Sequence, residues 1–275
     1  MPSSQQQMPV ITFLSDYGLA DDFVGICHGV IASACPQARV IDLTHGIARH
    51  DVRSAAIVLA EAIPYLPVGV HLAVVDPDVG AQRRAVALRT GDRRRFVGPD
   101  NGLLTLAAEA AGGIVEVVEI ARSPFRLKPV SATFHGRDIF APVAAALAGG
   151  ATLADAGEPV DAEELITLAL PVPRIRDGAV VAHVRYVDRF GNLQLNVRHE
   201  DLAQSGLRLG HPATIEPGDG SAHPVHYVRT FADAVPDELL LYEDAQRRLA
   251  IAVNHGDASQ RLGLVLDAEL RIRPG

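Results

Sequence analysis

The chain has 275 residues, 48% hydrophobic and 21% charged, enough apolar material for one large core or two moderate ones and too much for a disordered chain. A formal net charge of -8 argues against a general binder of nucleic acid or anionic membrane, whose affinity comes from clustered Lys and Arg. The two cysteines form no Cys-x-x-Cys, which argues against a thiolate zinc site or redox pair and fits a reducing cytoplasm.

Met1 to Met8 is polar and Gln-rich, without the apolar run of a signal peptide or membrane span. Apolar runs at Val10 to Leu14, Arg39 to Leu43, Val70 to Val75 and Arg84 to Arg89 predict strands. Helical spacing at Asp21 to Cys35 and Asp51 to Ile63 lies between them. This is a βαβ rhythm, and the nearly unbroken apolarity of the strands predicts a mostly parallel sheet flanked by helices. Cys27 and Cys35 lie about two turns apart on one face of the first helix and read as buried thiols. Arg93-Arg94-Arg95, after Gly91-Asp92, reads as a solvated hairpin turn. Ile114 to Ile120 is another apolar run, and Arg137 to Leu147 resumes helical spacing until Gly149-Gly150 stops it.

Beyond the Pro-rich stretch Leu170-Pro-Val-Pro-Arg174 the texture changes. Short runs at Ala179 to Tyr186, Leu193 to Asn196, Ala213 to Glu216, His226 to Thr230, Glu238 to Tyr242, Leu249 to Val253 and Leu262 to Leu266 predict a smaller all-β, barrel-like module. The expected organisation is an α/β domain over residues 9–165, a linker over 166–177 and the barrel-like domain over 178–275.

Three polar islands interrupt the aliphatic background: Asp76-Pro-Asp-Val-Gly80 with Arg83-Arg84, Gly98-Pro-Asp-Asn-Gly102, and Thr133-Phe-His-Gly-Arg-Asp138. In loops such clusters point to a ligand or a reaction. Ser15-Asp16, Asp42-Leu-Thr-His45 and Asp76 follow or end predicted strands, so they collect at the carboxyl edge where open α/β sheets bind ligands. No Gly-x-Gly-x-x-Gly follows a strand and no Walker phosphate loop is present. A nucleoside without phosphates fits better, because carboxylates such as Asp16 and Asp21 accept hydrogen bonds from ribose hydroxyls and would repel phosphate. Asp21, with Asp22, equally suits the cap of the first helix. The eleven His residues form no His-x-x-x-His, so no metal is expected.

Asp16-Tyr-Gly, Asp42-Leu-Thr-His45, Val75-Asp-Pro-Asp-Val-Gly-Ala-Gln-Arg-Arg84, Gly98-Pro-Asp-Asn-Gly102, Thr133-Phe-His-Gly-Arg-Asp-Ile-Phe-Ala-Pro142, Asp188-Arg-Phe-Gly-Asn192 and Leu249-Ala-Ile-Ala-Val-Asn254 occur in that order. Together they resemble the S-adenosylmethionine hydroxide adenosyltransferase family, the water-using relative of the fluorinase and chlorinase, from about Val10 to Leu266. The resemblance implies hydrolysis of S-adenosylmethionine to adenosine and methionine, with no cofactor and no metal. It also implies a homotrimer whose sites lie between the N-terminal domain of one subunit and the C-terminal domain of the next. The family's catalytic residues fall on Asp76, Arg83 and His135. Asp188, Phe190 and Asn192 resemble the family's barrel segment that meets the adenine and the methionine portion, and Asp16, Asp21 and Asn101 complete the candidate substrate contacts.

The chemistry suits those residue types. A sulfonium leaves as a neutral thioether, so no acid is needed at the leaving group; the difficulty is a hydroxide-like nucleophile in line with C5′. His135 and Asp76 can hold a water and take its proton, while the permanent charge of Arg83 favours the developing hydroxide. Phe190 and Asn192 offer an aromatic face and an amide to a purine, and Asp188 a charge to the substrate ammonium. Plainer roles compete: a turn at Asp76, a surface ion pair for Arg83, a loop imidazole at His135 and a β-turn at Asp188 to Asn192.

Two departures stand out. Asp78 occupies a usual Gly position, where a left-handed backbone is expected. Asp244-Ala-Gln-Arg-Arg248 replaces the Ser-Ser-Gly associated with the methionine carboxylate, leaving Arg247 as a charged substitute. The alternatives are a halide-using adenosyltransferase, against which a proton-accepting trio argues, and a nucleoside or S-adenosylmethionine sensor without turnover.

Overall fold

The computed structural model describes residues 8–275, so all but the last residue of the polar stretch Met1 to Met8 lies outside the described residues. The chain divides into two compact units, one ending at Leu168 and the other beginning at Ala169.

The first unit opens with strand β1 (Val10–Ser15), helix α1 (Phe23–Ala34), β2 (Arg39–Thr44), α2 (Val52–Ala62) and β3 (Val70–Val74). It continues with β4 (Ala85–Thr90), β5 (Arg95–Pro99), α3 (Thr105–Ala110) and β6 (Ile114–Glu119). A π-turn (Gly136–Phe140) runs into α4 (Ala141–Ala148), and α5 (Leu153–Ala156) and the short β7 (Glu158–Pro159) complete the unit. The sheet order is β2-β1-β3-β5-β4-β6-β7. The pairs β1–β2, β1–β3 and β3–β5 are parallel, and the far side from β5 through β4 and β6 to β7 is antiparallel, so the sheet is mixed.

Helices cover both faces, as the apolar strands require. Ile11, Phe13, Leu72 and Val74 pack with α1 and α4 residues such as Cys27, Ile31 and Val143. The alternate residues Leu14, Ala73 and Val75 pack with α2 and α3 residues such as Ala55, Leu59 and Ala107. Cys27 and Cys35 are both free and buried. The edge strand β2 departs from the pattern, being half-buried along its length.

Arg93-Arg94-Arg95 does turn the β4–β5 hairpin, with Arg93 in the left-handed region (φ 73°), but it is not uniformly solvated. Arg94 is buried, and its guanidinium donates to the carbonyls of Ile63 (3.1 Å) and Leu66 (2.6 Å), closing the end of α2 against the hairpin. The expected cap of α1 is also absent. Asp22 occupies the N-cap position without a side-chain hydrogen bond, and Asp21 faces a cavity.

The second unit contains β8 (Arg174–Arg176), β9 (Ala179–Val187), β10 (Leu193–Arg198), β11 (Pro212–Glu216) and β12 (His223–Tyr227). It ends with β13 (Leu239–Glu243), β14 (Arg248–Val253), helix α6 (Ala258–Leu262) and β15 (Glu269–Pro274). Pairing of β9 with β10 closes the ladder β10-β14-β13-β12-β11-β15-β9 into a seven-stranded barrel, with β8 appended to β9. Closure leaves the barrel strands no open edge. The predicted strand Leu262 to Leu266 is not one. Asp257 caps α6 by accepting from the Gln260 amide (2.8 Å), and Gly263 ends it in the left-handed region, so Leu262 and Leu264 reach the barrel core from a helix end and a loop.

Candidate active site

From β1 the chain crosses to β2 on one side, then returns past β1 to β3 on the other. Loops leaving the carboxyl ends of β1 and β3 therefore diverge, which opens a crevice at this switch point. A cavity of about 740 Å³ lies here. Its walls come from residues 16–23 after β1, 45–50 after β2, 74–79 after β3 and 133–136 before α4. Asp16, Asp21, Asp76 and His135 all line it.

The loop after β3 makes a tight turn, with Gly80 at φ 83°. A Cβ on Gly80 would come within 2.4 Å of the Ala132 carbonyl oxygen, so only glycine lets this loop approach the segment that carries His135. Asp78 does not take a left-handed backbone; Gly80 supplies that geometry two residues later. The turn returns Arg83 to Asp76, to which it donates from Nε (2.8 Å) and, by a short contact, from Nη2. Nη2 also lies 2.9 Å from Nδ1 of His135, and the guanidinium carbon sits 5.2 Å from the centre of the Phe140 ring. The Arg83 and Asp76 side chains are 8% and 6% exposed, so each charge depends on the other for compensation.

An arginine has no acceptor, so Nδ1 of His135 receives this bond with its lone pair. Burial depresses the His135 pKa, and the positive charge of Arg83 depresses it further, against opposing effects of Asp76, Asp138 and the Ser131 backbone. The imidazole is consequently neutral near pH 7, with its lone pair facing the guanidinium.

Two family profiles match the chain. One, described as the SAM hydroxide adenosyltransferase N-terminal domain, covers residues 11–157; the other, its C-terminal domain, covers 182–271. The chain belongs to this family. A Salinispora tropica relative named (R)-S-adenosyl-L-methionine hydrolase is 49% identical over 97% of this chain and 98% of its own. A crystal structure of an uncharacterised conserved protein from Thermotoga maritima superposes with a TM-score of 0.89 at 36% identity, over 96% of this chain and 99% of that one. An Actinoplanes fluorinase is more distant, at 29% identity over 90% of this chain and 91% of its own.

In this hydroxide adenosyltransferase, Asp16 is held from behind by the His50 amide, which donates to Oδ2 (3.0 Å). The Tyr17, Phe23 and Phe134 rings pack mutually edge-on or tilted at 5.1–5.8 Å and form an apolar wall. Gly136 packs directly against them: a Cβ there would meet the Tyr17 hydroxyl at 2.0 Å and push that ring aside. Burial raises the Tyr17 pKa well above its ordinary value, so the phenol stays neutral. None of these aromatic contacts was anticipated from the sequence. Asp-Tyr-Gly and Thr-Phe-His-Gly carried the residues, but only the fold shows that the two loops face each other.

The other expected site residues make the following contacts within their own units. Asn101 does not line the cavity: its amide donates to the Val75 carbonyl (2.9 Å) and accepts from Leu103 (3.2 Å), fixing the β5 end against β3. Arg84 binds Asp100 (2.9 Å) and Glu164 (2.7 Å), so that island braces the domain. In the barrel unit Asp188 accepts from the amides of Phe190 (2.8 Å) and Asn192 (3.0 Å) and from the Asn192 side chain (2.8 Å), a self-contained turn. That turn presents Phe190 at 66% exposure. Arg247 takes a left-handed backbone (φ 58°) and its guanidinium is largely exposed, 4.0 Å from Glu243.

Proposed function

We propose that this chain hydrolyses S-adenosylmethionine to adenosine and methionine, with Asp76, Arg83 and His135 as its catalytic residues. One observation carries the assignment: a buried guanidinium holds at once the Asp76 carboxylate and the lone pair of the neutral His135 imidazole, and both of those residues line the switch-point cavity. A water seated between Arg83 Nη2 and His135 Nδ1 replaces their direct bond, accepting from the first and donating to the second. Its O–H bond breaks toward Nδ1 as its oxygen bonds C5′, and the C5′–S pair leaves on sulfur, giving the neutral thioether of methionine. Asp76 keeps Arg83 aimed. Arg83, freed from His135, stabilises the forming hydroxide.

Asp16 and Asp21 are assigned to the ribose hydroxyls, the aromatic wall to the apolar face of the nucleoside, and Asp188, Phe190, Asn192 and Arg247 to the remaining substrate contacts. Asn101 supports the β3 end from behind. The relatives' name specifies the R configuration at sulfur, and we extend that preference to this chain. The working form is proposed to be a cytoplasmic homotrimer, which light scattering checks. Among the described residues no helix is long and apolar enough to cross a membrane.

The test is product analysis with each sulfonium epimer, with and without chloride or fluoride. Adenosine released from the R epimer, independent of halide, is expected. A 5′-halo-nucleoside would make the chain a halide-using adenosyltransferase, and tight binding without release would make it a sensor.

A further inference from the structure

Asp42-Leu-Thr-His45, one of the motifs in the resemblance, takes no part in the reaction above. Its Asp42 and His45 meet His28 from α1 beside the cavity. Nε2 of His28 is 2.8 Å from Oδ1 of Asp42, and Nε2 of His45 is 3.0 Å from the same oxygen. All three atoms lie within 4.8 Å of one another. The His45 side chain is 2% exposed, and its Nε2 makes no hydrogen bond of good geometry, its near neighbour being Asp42 Oδ1 at 3.0 Å. A buried ring nitrogen without a partner carries a desolvation cost that a ligand would remove.

The surroundings suit an ion. Nδ1 of His45 lies 2.7 Å from the Ser15 hydroxyl oxygen, which also accepts from the Tyr17 amide (3.3 Å). An outer hydrogen bond on one ring nitrogen, leaving the other to face a metal, is the usual orientation of a ligating histidine. The fully buried Phe13 ring packs against both imidazoles, 4.6 Å from His45 and 6.2 Å from His28, and fixes their planes. Tetrahedral bonds of about 2.0–2.1 Å place ligand atoms about 3.3 Å apart, so Asp42 would retreat by a few tenths of an ångström, and the two ring nitrogens, within 4.8 Å of each other, would close to the same spacing. At 43% side-chain exposure it has room to do so.

We propose that His28, Asp42 and His45 form a binding site for one zinc-class divalent ion, with water in a fourth position on the exposed side. Two neutral imidazoles and a carboxylate are the donor set such an ion prefers, and magnesium or calcium would prefer more oxygen. The ion would tie α1 to the loop after β2 and, through His45, would border the cavity that Asp76 and His135 also line, while sharing no ligand with the Asp76–Arg83–His135 trio.

Equilibrium dialysis of the full chain against Zn²⁺, with Co²⁺ substituted for its visible absorption, tests this without any reading of turnover. The expected result is one ion per chain, intense tetrahedral Co²⁺ bands, and a Tm raised by Zn²⁺. Because His28 and Asp42 are partly exposed, His28→Ala and Asp42→Asn should fold. Each should lower Zn²⁺ affinity at least tenfold and abolish both the bands and the Tm rise. Uptake unchanged in these two variants, or octahedral Co²⁺ spectra in the parent chain, would overturn the site. Neither outcome bears on whether adenosine is released.

Discussion

His71 sits at the amino half of β3, fully buried, with Nδ1 2.8 Å from the Thr12 hydroxyl and its ring 4.8 Å from Phe96. Burial, and after it the charge of Arg94, pulls its pKa down to about 3. The folded chain therefore refuses a proton that the unfolded chain accepts below about pH 6.5, so stability is lost as pH falls through that value toward the folded pKa. At pH 5 the gap is about 1.5 pH units, worth about 2 kcal/mol at 1.36 kcal/mol per unit. For a unit of this size that lowers Tm by about 4–8 °C. Urea unfolding of the parent and of His71→Gln at pH 7 and pH 5 checks the figure. Glutamine keeps a polar partner for Thr12 and does not titrate, so the variant should start less stable yet lose about 2 kcal/mol less between the two pH values. Equal losses in both proteins would refute the assignment. Because β3 delivers Asp76, acid inactivation has a global source here besides protonation of His135. At pH 6 and above, where the fold holds, the activity profile of His71→Gln should follow the parent's.

Four further outcomes are expected. His135→Ala should cut kcat by about 10²–10³ with little change in substrate affinity, since its contact strengthens only as the nucleophile forms; parallel losses in stopped-flow binding and turnover would contradict this. Arg83→Met removes one of the charges that depress His135, so the acid limb of any residual kcat/KM profile should move to higher pH. Asp16→Ala should weaken adenosine binding by calorimetry more than it lowers kcat at saturation. Gly80→Ala should keep the fold, read by circular dichroism, yet lose most activity, because the new Cβ drives the Asp76 loop from the His135 segment.

The legible parts of the fold were those in which period and apolarity agree. β1, β3 and β4 are continuous apolar runs buried on both faces, and their bounds shift by a residue at most. β5 escaped notice because its five residues end in Gly98-Pro99, which locally reads as a turn; its place between β3 and β4 comes from pairing with both. Leu262 to Leu266 alternates like a strand, but Asp257 and Gly263 supply helix start and stop signals that outweigh alternation over so few residues. Asp76, Arg83 and His135, the trio proposed as catalytic, stood out in their motifs, whereas the bond from Arg83 to His135 spans 52 positions and depends on a loop approach no local pattern encodes. Arg84 and Asp100 looked functional for the same reason that Arg83 did, and only their partner Glu164 distinguishes brace from reactant.

Every residue lining the switch-point cavity falls between Asp16 and Gly136, inside the unit that ends at Leu168. Leu168, where this unit ends, is synthesised 107 residues ahead of Gly275 (275 minus 168), so the unit leaves the ribosome before the barrel strands are all made. Domains generally fold as units, N-terminal first, during synthesis. The switch-point cavity can thus take shape early, around strands that all lie within the first unit. The barrel, whose ladder closes only when β15 returns across about eighty residues to β9, is the slower half of the molecule to mature.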